Sequence, residues 1–126
     1  LVCIIDLMKH TIKLNDQDLI EMHYIGPISD EENMDLIKQS YELITKQIDR
    51  GKKPLILVDL TQSTHFVPPA INVNAMRDSE AFKMAGFGIT DAHDREVALG
   101  VIAKAGAQDH VRLFDDRAQA EAWLNS

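Results

Sequence analysis

Cysteine, positive charge and long apolar runs are all scarce in this chain of 126 residues. Its one cysteine, Cys3, excludes a disulfide within the chain and predicts a reducing, cytoplasmic location. No apolar run approaches the ~20 residues that span a bilayer, so we expect no membrane insertion. With 13 Lys and Arg against 20 Asp and Glu, the formal net charge is −7, which argues against nucleic acid and anionic membrane surfaces as partners.

Motifs that carry chemistry are scarce as well. The chain has no Gly-x-Ser-x-Gly turn for a nucleophile and no Gly-Lys-Ser/Thr phosphate loop. Its densest group of metal-ligand types, Asp91 to Glu96, has neither zinc nor EF-hand spacing and is predicted to be a solvated loop. Cys3 has no basic neighbour and is predicted to be a buried small hydrophobe. We therefore predict no catalytic residue, no cofactor and no metal.

The first half of the chain predicts a hairpin and a long helix within one domain that spans residues 1–126. Apolar alternation on both sides of Asn15 and Asp16 indicates a β-hairpin, with His23 as a half-exposed strand residue. Ser29 and Glu32 form a capping box for a helix over 30–50, and Gly51 suits its left-handed end. The apolar stripe predicted to face the core is Met34, Ile37, Tyr41, Ile44 and Ile48, widened by Leu36 and Leu43.

The second half predicts further strands and helices. The aliphatic run at 55–60 is a central strand covered on both faces, and 97–103 is a neighbouring strand. Helices are predicted at 68–85 and 115–125, the latter capped by Asp115 with Trp123 and Leu124 buried. Residues 86–88 and 90–94 are predicted loops, and "HVRLF" a short strand. The expected fold class is α/β, a mixed sheet with parallel core strands and helices packed on it.

Four segments carry a family resemblance: "LIEMHYIGPISDEEN", "LILVDLTQ", "VALGVIAK" and "VRLFDDRAQAEAWL". In this order they resemble the SpoIIAA-like proteins, a STAS-related group with a likeness to CRAL-TRIO lipid-binding folds. The resemblance covers roughly residues 10 to 125 and implies a bacterial regulatory domain that binds other proteins. Neither of its most distinctive motifs, the C-terminal segment and the strand ending in Asp59, carries chemistry.

The sporulation anti-anti-sigma factors in this group carry a phosphorylated serine after the corresponding strand. Asp59-Leu60-Thr61 matches the end of that strand, but "FVPPA" stands where the Asp-Ser-Ser-Gly acceptor segment is expected. Pro68 and Pro69 have no backbone N–H groups that could bind a phosphate. We therefore predict that this segment turns and binds, and that it is not a phosphorylation switch.

Three hypotheses about function follow from the strand ends, where α/β sheets usually bind their ligands. The leading one is a non-catalytic regulatory or protein-interaction domain. The alternative is a carrier or sensor of a small apolar molecule or lipid, beneath a lid formed by 66–87. Ordinary packing of a second helix onto the sheet is the other interpretation of that segment, and the favoured one. A hydrolase that uses the Ser63–His65 region comes third. The apolar residues of 66–87 also predict a homodimer. The candidate residues for binding a partner or ligand are Asp59, Thr61, Ser63, Thr64, His65, Phe66, Met76 and Phe82.

Overall fold

A computed structural model describes residues 10–64 and 83–126. Its five-stranded sheet has the order β1-β2-β3-β4-β5, in which β1 is antiparallel to β2 and the other neighbours are parallel. Three helices pack on the sheet, so the predicted α/β class with a parallel core is confirmed. In chain order the elements are β1 (Thr11–Leu14), β2 (Ile20–Gly26), α1 (Asp30–Asp49), β3 (Leu55–Ser63), β4 (Lys83–Phe87), α2 (Ala92–Lys104), β5 (Val111–Phe114) and α3 (Arg117–Leu124).

Strand alternation divides the core into two layers. One face of the sheet packs against α1 and α2, and its buried residues include Ile20, Met22, Ile56 and Val58. The other face packs against α3 through Leu19, Leu57, Ala85, Phe87, Ala120 and Leu124. The strand β3 contributes to both layers, which confirms that the aliphatic run is a central strand covered on two sides.

The hairpin between β1 and β2 is also confirmed, with its turn at the predicted place. The Asn15 side-chain oxygen accepts hydrogen bonds from the backbone N–H groups of Gln17 at 2.9 Å and Leu19 at 3.0 Å. Asp18 takes a left-handed backbone conformation with φ 61°. An Asx-type turn of this kind fixes the register of the hairpin, because its side chain satisfies the donors that the turn leaves unpaired.

The helix α1 begins and ends as predicted, but its buried face only partly matches the prediction. Ser29 and Glu32 form the capping box, and Gly51 adopts φ 73° after the last turn. Of the predicted core stripe, Leu36 and Ile44 are buried, and Ile37 and Leu43 are half-buried. The buried residues of the helix are Asn33, Leu36, Ser40, Ile44 and Gln47, whereas Met34, Tyr41 and Ile48 are 50%, 45% and 53% exposed.

Hydrogen bonds explain how polar side chains come to lie on the buried face of α1. The Ser40 hydroxyl donates to the backbone carbonyl of Ile37 at 2.7 Å. The Gln47 amide donates to the carbonyl of Asp18 at 3.3 Å and accepts from Arg50 at 2.9 Å. Because these groups keep hydrogen-bond partners, their burial costs little free energy. With polar side chains on the inner face, the larger Met34, Tyr41 and Ile48 face outward.

The predicted strand at 97–103 is wrong, because these residues belong to α2. The carboxylate of Asp91 accepts from the backbone N–H of Asp94 at 2.9 Å, so the segment predicted as a loop at 90–94 contains the helix start. Ala98 and Ile102, four residues apart, are the buried positions. A short apolar run fits either a strand or a buried helix, and the cap was the signal that distinguishes them.

On the side of β3 away from β2, the neighbouring strand is β4. This strand includes Gly86 and Phe87, which belong to the predicted 86–88 loop. The predicted helix at 68–85 is wrong for 83–85, which begin β4, and its remainder lies outside the described residues. Gly86 explains why a loop was predicted at 86–88. A Cβ at this position would lie 3.0 Å from Leu113 and 3.3 Å from Leu60, so glycine here reflects close packing within the sheet instead of a turn.

The C-terminal strand and helix are confirmed, with two corrections. Asp116, not Asp115, caps α3 by accepting from the backbone N–H of Gln119 at 2.9 Å. Leu124 is buried as predicted, but Trp123 is only half-buried. The indole ring packs at the margin of the core, 5.7 Å from the ring of Phe114 between centroids.

The strand β3 is longer than predicted and carries a bulge near its end. The register pairs His23 with Asp59 and then Ile25 with Gln62, so β3 holds one more residue than β2 across this step. Gly88, with φ 92°, lies against the bulge, and a Cβ there would come within 2.5 Å of the Thr61 methyl group and 3.0 Å of the Thr61 nitrogen.

Replacing Gly88 with Ala should therefore destabilise the protein by roughly 2–4 kcal/mol, from both an unfavourable φ and a clash with the β3 backbone. The matched control is Gly51→Ala, because Gly51 also has positive φ but has nothing within 4 Å of its Cβ position. The control should lose only about 1 kcal/mol. Urea unfolding of the two variants measures the difference, and equal losses would show that Thr61 does not press against Gly88.

Candidate functional site

A cluster of charged and polar side chains lies on the sheet face that carries α3. Its members come from β2, β3 and α3, and we call it the charged network: Glu21, His23, Asp59, Thr61 and Arg117. Strand alternation places Glu21 and His23 on one face of β2. The parallel register sets His23 beside Asp59, so residues far apart in sequence become neighbours.

Glu21 is the anchor of the charged network. Its side chain is 8% exposed and accepts hydrogen bonds from Asn15 at 3.0 Å, from Arg117 at 2.6 Å and from the His23 Nε2. Burial raises the pKa of the Glu21 carboxyl, but the hydrogen bonds from Arg117, Asn15 and His23 outweigh burial and hold that pKa at about 2. Glu21 is therefore a fixed negative charge.

His23 lies between two carboxylates. Its Nε2 faces Glu21, and its Nδ1 is 3.2 Å from an oxygen of Asp59. Both ring nitrogens can donate to these carboxylates only when the ring carries its positive charge. The side chain is 30% exposed, which agrees with the predicted half-exposed strand residue. In this arrangement each ring nitrogen faces a carboxylate instead of a hydroxyl group.

Asp59 links the charged network to the end of β3. Its second oxygen accepts from the backbone N–H of Thr61 at 2.9 Å and from the Thr61 hydroxyl at 2.6 Å. Asp59 thus satisfies a backbone group at the strand end. The bulge explains why, because an extra residue in a strand leaves a backbone group without a partner on the neighbouring strand.

The other candidate residues divide into two groups. The Ser63 hydroxyl donates to the carbonyl of Leu60 at 2.9 Å, and the Thr64 N–H donates to the carbonyl of Gly26 at 3.2 Å, so both help to close the end of the sheet. Neither is in contact with the charged network through a hydrogen bond that the structure records. The remaining four candidates lie outside the described residues: His65, Phe66, Met76 and Phe82.

The carboxyl ends of β3 and β4 form a small pocket with the start of α2. Its volume is about 40 Å³, and Thr61, Ser63, Asp91 and Asp94 are among its lining residues. Pockets that enclose organic ligands usually measure about 300–1,000 Å³, so this one has room for a few water molecules. Within residues 10–64 and 83–126, no three His, Cys, Asp or Glu side chains are arranged to hold a metal ion.

A second feature of interest is the exposed flank of α1. Met34, Tyr41 and Ile48 are spaced seven residues apart and so lie along one line of the helix; we call them the α1 stripe. Beside Tyr41 is a shallow groove that Glu42, Thr45 and Lys46 also line. In the part of the chain that the structure describes, no helix is long and apolar enough to cross a membrane.

Comparisons with known proteins leave the family open. No protein-family model matches the chain, and no curated protein matches it. Residues 10–64 and 83–126 form an α/β structure with a mixed, mostly parallel five-stranded sheet and three packed helices. The SpoIIAA-like resemblance stays a prediction.

Sequence reasoning found Asp59 and Thr61 but missed the rest of the charged network. Glu21 and His23 do carry a signal, because both occupy alternate positions of a strand whose neighbours are buried. A charged residue at such a position usually has a partner. Arg117 gives no such signal, since it is 96 residues from Glu21 and only the packing of α3 brings the two together.

Replacing Glu21 with Gln tests the charged network through the pH dependence of stability. The folded pKa of about 2 lies below the ordinary value of 4.5, so the stabilisation by Glu21 is present above about pH 4.5 and is lost as the pH falls towards 2. At pH 7 the variant should lose roughly 2–4 kcal/mol, because Arg117 loses its counter-charge. Its stability should also fall less steeply than that of the wild type between pH 4.5 and 2.

Glu121→Gln is the matched control, because Glu121 accepts from the same Arg117 at 2.7 Å as an (i, i+4) pair on α3. An ion pair of this kind contributes less than about 1 kcal/mol. Urea unfolding at a series of pH values distinguishes the two variants. If stability fell as steeply between pH 4.5 and 2 in Glu21→Gln as in the wild type, a group other than Glu21 would control that fall.

Proposed function

We propose that this chain is a non-catalytic regulatory domain that acts by binding another protein through the α1 stripe. The observation that carries the proposal is the exposure of Met34, Tyr41 and Ile48, each about half accessible on one flank of a single helix. Apolar side chains scattered singly on a surface need no explanation, whereas these three lie on one flank of a single helix, about 10 Å apart along its axis, and suit a partner that lies along the helix. Aromatic residues and Met are typical of the centres of protein interfaces.

The energies support a binding role for this flank. Full burial of a large apolar side chain contributes roughly 1.5–3 kcal/mol, so covering the exposed half of each gives about 1 kcal/mol. Three such residues together would contribute about 3 kcal/mol to an association. That contribution is too small for tight binding by itself, and it suits a reversible contact of the kind that regulation requires.

The geometry of the charged network supports a role without catalysis. Both nitrogens of His23 face carboxylates. The Asp59 oxygen that accepts from the Thr61 hydroxyl also accepts from the Thr61 backbone N–H, as in a local turn at a strand end. The network links β2, β3 and α3, as a structural cluster does. The SpoIIAA-like resemblance, a bacterial origin and a cytoplasmic location belong to the same proposal, together with the absence of a phosphorylation switch at Phe66 to Ala70.

A photo-reactive amino acid at position 41 tests the binding surface in cells that express the full chain. The matched control is position 39, because Gln39 is exposed and lies two residues away, on the opposite flank of α1. We expect covalent adducts from position 41 that disappear when Ile48 is replaced by Glu, and none from position 39. Equal adducts from both positions, or none from position 41, would contradict the proposal.

An ester and phosphoester substrate screen tests the non-catalytic part of the proposal. We expect no turnover above that of a heat-denatured sample. Turnover that His23→Gln abolishes, while the circular dichroism spectrum stays unchanged, would instead assign the charged network to an active site.

A further inference from the structure

The amino ends of three neighbouring strands form a pocket on the sheet face that carries α3. Leu55 begins β3 and is paired with Lys83, which begins β4. His110 precedes β5, and its carbonyl accepts from the backbone N–H of Met84 at 2.7 Å, so the three strands start side by side. Leu55, Lys83 and His110 line the pocket from the three strands, and we call it the amino-end pocket.

The amino-end pocket is larger than the pocket at the carboxyl ends of β3 and β4. Its volume is about 280 Å³, against about 40 Å³ at the carboxyl ends. Pockets that enclose organic ligands begin at about 300 Å³. The amino-end pocket therefore has room for a small organic molecule, whereas the other pocket has room for water alone.

Positive charge collects at the amino-end pocket in a chain that is acidic as a whole. Lys53 and Lys83 line the pocket, and Asp109 is the one acid among the lining residues that the structure describes. Within residues 10–64 and 83–126, the Lys53 ammonium group has neither a carboxylate partner nor a hydrogen bond. A cleft with an excess of one charge concentrates ions of the opposite charge, so this pocket favours an anion.

Lys83 is held in place before a ligand enters. Its ammonium group donates to the carbonyls of Trp123 at 2.9 Å and Ser126 at 3.2 Å and to the Ser126 hydroxyl at 3.0 Å, and it lies 5.0 Å from the centroid of the Trp123 ring. Because the side chain is already ordered, an anion that binds here does not bear the entropy cost of ordering it. A charged carboxylate is a stronger acceptor than the exposed Ser126 hydroxyl and can replace it.

The remaining wall of the amino-end pocket is apolar. Leu124 is buried and Leu55 is half-buried, and both belong to the core layer beneath α3. Each methylene group that leaves water for such a wall strengthens binding about fourfold. A ligand with a short apolar body therefore binds more tightly here than an inorganic ion of the same charge.

We propose that the amino-end pocket binds a small organic acid, a carboxylate that carries a short apolar body. Lys53 and Lys83 hold the carboxylate, and Leu55 and Leu124 contact the apolar body. The proposal goes beyond the protein contact of the α1 stripe and does not depend on it, because α1 packs on the opposite face of the sheet.

Titration of the full chain with 4-methylpentanoate tests the proposal through Trp123, the single tryptophan of the chain. A carboxylate that reaches Lys83 changes the surroundings of the indole ring and so its fluorescence. At constant ionic strength we expect a saturable change with a dissociation constant on the order of 1 mM. The neutral 4-methylpentanamide lacks the charge and inorganic phosphate lacks the apolar body, so each should bind about tenfold more weakly.

Two charge-matched variants locate the site. Lys53→Gln removes an exposed ammonium group and should weaken binding of 4-methylpentanoate about fivefold. Lys38→Gln is the control, because Lys38 is exposed on α1 and does not line the pocket. It should bind like the wild type. Lys83 is left unchanged in both variants, since its replacement would also release the end of α3.

The outcomes decide the proposal independently of the α1 stripe. Equal weakening by Lys53→Gln and Lys38→Gln overturns it, as does the absence of a saturable change up to about 50 mM. Phosphate that binds as tightly as 4-methylpentanoate would assign the pocket to an inorganic anion, and an equally tight amide would exclude a role for charge; either result also overturns it. The adducts expected from position 41 depend on none of these results.

Discussion

The parallel pairing of β2 with β3 is the constraint on which most of this structure depends. Its register sets Ile20 beside Ile56 and Met22 beside Val58 in the layer under α1 and α2, and sets Glu21 beside Leu57 on the opposite face. The same register brings His23 next to Asp59 and thereby forms the middle of the charged network. A shift by one residue would exchange the two faces and place Glu21 among apolar side chains.

The charged network has a structural role, and the α1 stripe is the surface that we propose for binding. Glu21 is almost fully buried and accepts hydrogen bonds from side chains of the hairpin turn and of α3. The positive charge of Arg117 compensates its negative charge. A buried charge of this kind specifies one arrangement of the elements more than it adds net stability. The stripe lies on a helix of the opposite layer, where side chains are exposed because smaller polar residues fill the inner face. Binding there need not disturb the network.

The parts of the fold that follow local rules could be predicted from the sequence. The hairpin turn at Asn15, the capping box at Ser29 and the buried run in β3 each depend on residues within a few positions of one another. The inner face of α1 could not be predicted from apolar periodicity, because Ser40 and Gln47 are buried through hydrogen bonds to groups that only the folded chain brings near. The apolar run in α2 is compatible with either a strand or a buried helix, and the cap at Asp91 is the signal that distinguishes the two. Of the charged network, Asp59 and Thr61 were predicted from the strand end, whereas Arg117 joins only through tertiary packing.

The central claim is the proposal that this domain binds another protein through the α1 stripe. Correlation spectra of the ¹⁵N-labelled chain inside the cells that express it, compared with spectra of the purified chain, test this claim residue by residue. The account predicts shifts or broadening along the flank of α1 that contains Met34, Tyr41 and Ile48, and none at His23 or Asp59. Changes centred on the charged network, or identical spectra in the two samples, would contradict it.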